Sequence, residues 1–547
     1  MGTTAHLDTF ARDHLPPKEQ WPEFLFELPE VQYPGKLNCA AELLDQAITQ
    51  GWGDRPVIHA PEGEGRTFVT YRQLLALSNR IAHVLTEDLG LVPGNRVLLR
   101  SPNTPMLAAC LFAVWKAGGI VVPTMRLLRA KELRQVIDKA RVDIALCDAR
   151  LRDDLDAAIQ ACGNPKKIAY FGEGGPHSLE RMLEPKPAEY GNVETASDDV
   201  AVIAFTSGTT GLPKAALHFH RNVMAMCDCW PRAILKPRPD DIFCGTPPLA
   251  FTYGLGVMLC VPMRFGASTV LVEKVTPPGL LQTVDDFRCT FIATVPTFYR
   301  QMAPFVRRFD ISRLRVAISS GEALPDATRV LFREASGLEL IDGFGATEMM
   351  QTFISHTPDR TRRGATGYVI PGYRAVVLDG NGKPCPPGVT GRLAVKGPTG
   401  CLYLSDDRQL RYVQGGWNVT GDMYRVDDDG YFFFQGRSDD VIVSAGYNIS
   451  GLEVESMLLQ HEAVAECAVV GMPDEERGQI VSAFVVLKPE IVPGPQAAKM
   501  LQDFVKASIA PYKYPRRVEF VASLPRTEAG KLQRFRLREH SPTVADA

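Results

Sequence analysis

The chain has no apolar run long enough to cross a bilayer, no block of like charge and no C-x-x-C pair. Each absence removes a class of function. A spanning helix needs about 20 consecutive apolar residues. The most apolar stretch, MLAACLFAVW (Met106–Trp115), ends in Lys116 and a glycine pair and reads as a buried helix. Lys and Arg number 60 against 63 Asp and Glu, a net charge of −3, so no basic face for nucleic acid is expected. Twelve cysteines are scattered, with Cys227 and Cys229 as a lone C-x-C, which points to reduced core thiols rather than a metal cluster. The opening segment MGTTAHLDTFARDHLPPKEQW lacks the apolar core of a secretory signal, and a cytoplasmic chain with no membrane partner is expected.

What is there is length and alternation. At 547 residues the chain calls for two to four domains. NRVLLRSPN reads as strand and loop, TPMLAACLFAVWKAGG as a helix stopped by Gly118 and Gly119, and IVVP as the next strand. VAVIAF is then a strand, followed by a Gly-rich loop and a helix from about His220 to Trp230; RCTFIATVP and LRVAISS are further strands. Such alternation predicts an α/β chain with parallel sheets flanked by helices. Near Gly372 the texture changes: YRAVVLDGNGKPCPPGVTGRLAVKG has two apolar runs joined by turn residues, a small antiparallel β unit. After GYFFFQGRSDD an α+β pattern resumes. The expected division is residues 1–436 and a smaller C-terminal domain, 437–547.

TSGTTGLPK (Thr206–Lys214) has the composition of a phosphate loop. It is not the G-x-x-x-x-G-K-[ST] loop, because Pro213, which has no N–H to donate, stands where that motif needs glycine, and Ala215 replaces the hydroxyl after the lysine. Four hydroxyls and two glycines still suit an anion.

The loop is one of five motifs in order: TSGTTGLPK, GFGATE (Gly343–Glu348), GWNVTGD (Gly416–Asp422), GRSDD (Gly436–Asp440) and PRTEAGK (Pro525–Lys531). Together they resemble the AMP-forming acyl-CoA synthetases, over nearly the whole chain. The resemblance implies a large N-terminal domain of two α/β subdomains plus a small β unit, and a mobile C-terminal lid. It implies two half-reactions: a carboxylate attacks the α-phosphate of MgATP to give an acyl adenylate and pyrophosphate, then the thiol of coenzyme A displaces AMP. By the same resemblance Thr206, Ser207, Gly208, Thr209, Thr210, Gly211 and, more weakly, Lys214 hold the phosphates and stabilise the departing charge. Thr347 touches the α-phosphate, and Glu348 holds Mg²⁺ as a hard oxygen ligand. Gly321, Glu322 and Ala323 cover the adenine, Asp342 accepts from its amine, and Gly343 and Phe344 adjoin the nucleotide. Asp422 and Arg437 hold the ribose, Asp439 is the hinge, Lys531 bridges carboxylate and α-phosphate, and Gly446 lines the path of the pantetheine arm.

The run FTSGTTGLPKAALHFHRNV with TPPLAFTYGLG is most similar to benzoate and 2-aminobenzoate CoA ligases. The implied acid slot takes Phe251, Tyr253, Gly254, Ser320, Gly345, Ala346, Met350 and Gln351, flat and mostly apolar, suited to an aryl ring. For an ortho amine, Ser320, Tyr253, Gln351 or His220 is the candidate acceptor. The expected partners are therefore a small aromatic acid, ATP and coenzyme A, with a monomer or homodimer as the assembly. Delivery to a separate acyl carrier protein or a downstream acyltransferase stands as an alternative, as does an adenylate-binding chain without turnover.

Overall fold

The computed structural model of the chain describes residues 3–62, 65–165, 167–175, 178–206, 213–437, 440, 442–444, 447–474, 476–526 and 532–539. Ser207, Gly208, Thr209, Thr210, Gly211, Asp439, Gly446 and Lys531 lie outside them.

Two sheets dominate. One runs Lys167–Phe171, Ile144–Asp148, Arg96–Arg100, Ile120–Thr124, Val200–Thr206, Lys214–Phe219, parallel until its last strand. Arg96–Arg100 and Ile120–Thr124 are buried at every position, as expected of strands covered on both faces. The helix between them, Pro105–Lys116, starts where the sequence says it should: Thr104 accepts from Leu107 N–H and Pro105 needs no donor in the first turn. Its far end is tied down by Trp115, whose indole N–H donates to Ala201 O, and by Lys116, whose buried ammonium meets Asp45 at 2.7 Å.

The second sheet has nine strands: Tyr368–Val369, Thr352–Ser355, Leu340–Gly345, Val316–Ser320, Phe291–Thr294, Ile242–Gly245, Ser268–Val270, Pro56–Glu62 and Gly65–Thr70. From Leu340–Gly345 to Pro56–Glu62 the pairing is parallel, with antiparallel strands at both edges. A third, antiparallel sheet joins Arg374–Leu378, Gly391–Lys396, Trp417–Val426, Val413–Gln414 and Phe432–Arg437, which is the small β unit the sequence announces. Beyond it, Val464–Asp474, Gly478–Leu487 and Arg517–Phe520 form a sheet packed by the helices Gly451–Leu458 and Pro495–Ser508, with a core of its own around Val454, Val469, Val481 and Leu501. No helix among the described residues is long and apolar enough to cross a membrane.

The helix expected from about His220 begins there, at His220–Asp228, but a strand that the sequence did not announce separates it from the Gly-rich loop. Lys214–Phe219 returns beside Val200–Thr206 as an antiparallel strand, with Thr206 opposite Lys214. The cause is a period of two: Ala215, Leu217 and Phe219 enter one core with Leu98 and Ile203, while Ala216 enters another with Tyr403. The segment that follows Cys401 adds a further rung, as Leu217 N–H donates to Leu402 O and Leu404 N–H to Ala215 O.

Candidate functional site

The parallel strands of both sheets end along one cleft, where open α/β folds bind ligands. Leu340–Gly345 runs out into a short 3-10 turn, Thr347–Met349, closed by Met350 N–H on Thr347 O at 3.0 Å. Closure forces Met350 to φ 62°, a left-handed conformation that costs a side-chain-bearing residue free energy, and its side chain is fully buried. Glu348 leaves this turn toward Tyr403, whose hydroxyl donates to Oε1 at 2.6 Å. Lys214 lies over the same tyrosine ring, 5.5 Å from its centre. The structure thus joins Lys214 and Glu348 through Tyr403, with Thr206 paired to Lys214 and Thr347 next to Glu348; the sequence reading missed Tyr403 because 55 residues separate it from Glu348. Also missed are Arg408, whose guanidinium donates to Pro213 O at the foot of the loop, and His218. His218 is buried against the Thr347 backbone without reaching hydrogen-bond geometry, and burial lowers its imidazole to about 4, so it is neutral.

The residues that the resemblance assigns to the nucleotide gather beside this turn. Asp342 is buried; its carboxylate accepts from Gly343 N–H, and its own N–H donates to His356 Nε2 at 3.1 Å. Burial raises the Asp342 carboxyl to about 7 against the pull of Arg329, and burial lowers His356 to about 4. Asp422 and Arg437 face each other across paired strands, 3.6 Å apart. Gly321, Glu322 and Ala323 follow Val316–Ser320 at the same rim.

Among the residues that the resemblance assigns to the acid slot, two glycines are set by close backbone approach. A Cβ on Gly345 would sit 2.4 Å from Gln351 O, and one on Gly254 2.0 Å from Pro248 O, so neither position accepts a side chain without moving backbone. Ser320 Oγ donates to Gly343 O at 2.9 Å. Phe251 precedes the short helix Thr252–Leu255, and Ala346 is half-buried against the core. The Phe344 ring is held by Phe353, Tyr424 and Phe434, with centroids 5.4, 5.2 and 5.9 Å away.

Several buried polar atoms here have no protein partner: Tyr253 Oη, Gln351 Oε1 and Trp230 Nε1, the last on a ring packed near Gly343 and absent from the sequence reading. A relay fixes which way the Gln351 amide points. Thr399 donates its hydroxyl to Met349 O, so Tyr373 Oη must donate to Thr399 and accept from Gln351 Nε2, each at 2.7 Å. That leaves Gln351 Oε1 as an acceptor in want of a donor. His220, the fourth candidate acceptor, is elsewhere: Nδ1 accepts from Cys39 N–H in the main core, and burial lowers the ring to about 3.

The smaller C-terminal domain closes over this rim. Glu322 Oε1 accepts from Arg526 Nη1 and from Leu532 N–H, both at 2.9 Å, while Thr297 donates to Oε2 at 3.2 Å. Arg300 donates to Ala465 O at 2.9 Å and Gln301 to Glu466 at 3.1 Å. Between the strand ends of the two large sheets lies a cavity of about 300 Å³ lined by Ser101, Asn103, Arg126, Thr246, Ala250, Lys274 and Phe298 among others, reaching the residue before Phe251.

Comparison with known proteins accounts for this arrangement. The AMP-binding enzyme family matches residues 45–402, and the AMP-binding enzyme C-terminal domain matches 453–531. The chain is 32% identical to a benzoate–CoA ligase of Thauera aromatica over 516 residues, 93% of this chain and 97% of that protein. An acyl–CoA ligase of Bacillus subtilis, YtcI, is 33% identical over 86% of this chain and 90% of its own length. The solved anthranilate CoA ligase AuaEII, in complex with anthranoyl-AMP, superposes with a TM-score of 0.88 at 31% identity, covering 94% of this chain and 98% of that one. A benzoate CoA ligase from Burkholderia xenovorans LB400 gives 0.84 at 30%, covering 92% and 100%. With its two-part α/β fold and its ordered motifs, the chain belongs to the AMP-binding enzymes and is an AMP-forming acyl-CoA ligase.

Proposed function

We propose that the chain activates a small aromatic carboxylic acid, 2-aminobenzoate first and benzoate second, and transfers it to coenzyme A. The observation that carries the reading is Gln351: a buried amide whose relay through Tyr373 and Thr399 leaves Oε1 without a hydrogen-bond partner, in a residue whose backbone carbonyl lies against Gly345. A ring bearing an N–H donor supplies what it lacks, and an unpaired buried acceptor discriminates strongly against a ring without one. Similarity to the anthranilate CoA ligase supports the same choice.

In the first half-reaction a carboxylate oxygen bonds to the α-phosphorus and the bond to the β-phosphate oxygen breaks. Lys531 neutralises the approaching anions, while residues 206–211 and Lys214 hold the leaving pyrophosphate. Thr347 contacts the α-phosphate, Gly321, Glu322, Ala323 and Asp342 seat the adenine, and Asp422 and Arg437 hold the ribose. Glu348 is the residue that would hold Mg²⁺. Tyr403 orients one of its carboxylate oxygens, and a single hard oxygen beside substrate phosphates suits an ion that keeps much of its water. When bound, that ion supplies charge neutralisation at the phosphates. In the second half-reaction the domain of residues 437–547 turns about Asp439, Gly446 leaves room for the pantetheine arm, and the thiol sulfur displaces AMP from the acyl carbon. The cavity rimmed by Arg126 and Lys274 is the path we assign to that arm.

The test is pyrophosphate release with 2-aminobenzoate, 2-hydroxybenzoate, benzoate and octanoate, with and without coenzyme A. Aryl acids should turn over and octanoate should not. Gln351→Met should lower kcat/KM for 2-aminobenzoate roughly tenfold or more while benzoate changes little. Equal loss on both acids removes Gln351 as the selector. Pyrophosphate without thioester points instead to a separate carrier protein.

A further inference from the structure

The side chain of Glu322 has a use that the adenine-covering role of its backbone does not require. Its carboxylate is steadied on Oε2 by Thr297 of its own domain and takes two donors from the C-terminal domain on Oε1, the Arg526 guanidinium and the Leu532 amide. These two residues pair with each other as an isolated antiparallel bridge, and Gln533 N–H donates back to Pro525 O, so the chain on either side of residues 527–531 is held together. Lys531 is the residue covalently next to Leu532. Arg526 also reaches Glu466 at 3.1 Å within its own domain, which aims its guanidinium before the domains meet.

We propose that Glu322 is a positioning residue for adenylation, clamping Arg526 and Leu532, the residues that flank 527–531, while the domains are closed for the first half-reaction. A carboxylate that accepts a charged donor and a backbone amide together fixes position and orientation at once. The side chains of Glu322 and Arg526 remain 14% and 23% exposed, so water can replace each partner when the domain turns away. The clamp therefore serves one half-reaction and releases for the other. This rests on the reading of Lys531 as the adenylation lysine.

Two assays separate the outcomes. Pyrophosphate release from acid and ATP reads the first half-reaction; thioester formation from a supplied synthetic aryl adenylate and coenzyme A reads the second. Arg526→Ala should slow the first roughly ten- to a hundredfold and leave the second within about twofold, and Glu322→Ala should slow the first by at least as much. Glu322→Gln, which keeps an acceptor for Leu532 N–H, should fall between. Equal slowing of both half-reactions, or no slowing of either, overturns the proposal. A third measurement does not depend on the acid: spin labels on Arg307→Cys and Lys499→Cys, both exposed, report the distance between the domains in the full chain. With ATP present, Arg526→Ala should broaden the short-distance population toward longer values, and an unchanged distribution overturns the clamp even if no acid is turned over.

Discussion

The two sides of the cleft are built on different physics. The wall from Gly343 to Gln351 is fixed by backbone approach and buried hydrogen bonds: a Cβ at Gly345 has no room, and the relay from Met349 O to Gln351 has one direction only. The opposing face, where Glu322 and Thr297 meet Arg526 and Leu532, is made of charge and single hydrogen bonds at a partly wet seam. Close packing is bistable at best and does not slide. Ion pairs at a wet seam exchange with water at little net change. Shape that must persist through both half-reactions is therefore packed, and contact that must come and go is charged.

Breaking either side should show that contrast. The largest effect is expected on the movable side: Lys531→Ala should reduce pyrophosphate release by roughly a hundred- to a thousandfold, and Lys214→Ala far less, with the melting temperature unchanged in both. A larger loss at Lys214 reverses the assignment of the adenylation lysine. On the fixed side, Gly345→Ala should destabilise the chain by about 2–3 kcal/mol and slow both half-reactions together, because backbone must shift to admit the methyl group. Intact stability by urea titration would show the wall to be softer than its contacts imply.

Asp342 gives a smaller, pH-dependent effect. Its carboxyl is raised to about 7 in the folded chain against an ordinary value of 3.8. Between these values the folded state holds a proton that the unfolded state has lost, so stability falls as pH rises from about 4 to about 7 and stays lowered above. Asp342→Asn keeps an acceptor for Gly343 N–H, so it should raise the melting temperature at pH 8 and leave it nearly unchanged at pH 4; the opposite trend refutes the assignment. The smallest effect belongs to Arg374→Ala. Its pair with Glu27 is more than half exposed on both sides, and neither stability nor turnover should move measurably. That variant is the control for Arg526→Ala: both remove one arginine from an ion pair, only one at the domain seam.

Legibility in the sequence followed range. The helix Pro105–Lys116 was readable because its cap, its proline and its stop glycines are neighbours in the chain. The parallel sheets, the small β unit and the ordered motifs were readable for the same reason. The strand Lys214–Phe219 was not, since its alternation shows only once two separate cores are known to flank it. Tyr403, Arg408 and the Gln351 relay were invisible because their partners lie 55, 195 and 22 residues away. Glu322 was singled out for its backbone, while its side chain answers to a residue 204 positions later.

Met350 has a consequence for any attempt to improve the protein. A methionine held at φ 62° is a position where glycine would relieve strain, by roughly 1 kcal/mol. Emptying a fully buried site costs more, about 2–5 kcal/mol, so Met350→Gly should lower the melting temperature despite the freer backbone. The strain is held in place by the packing it makes possible, and a screen for heat tolerance should leave this methionine alone.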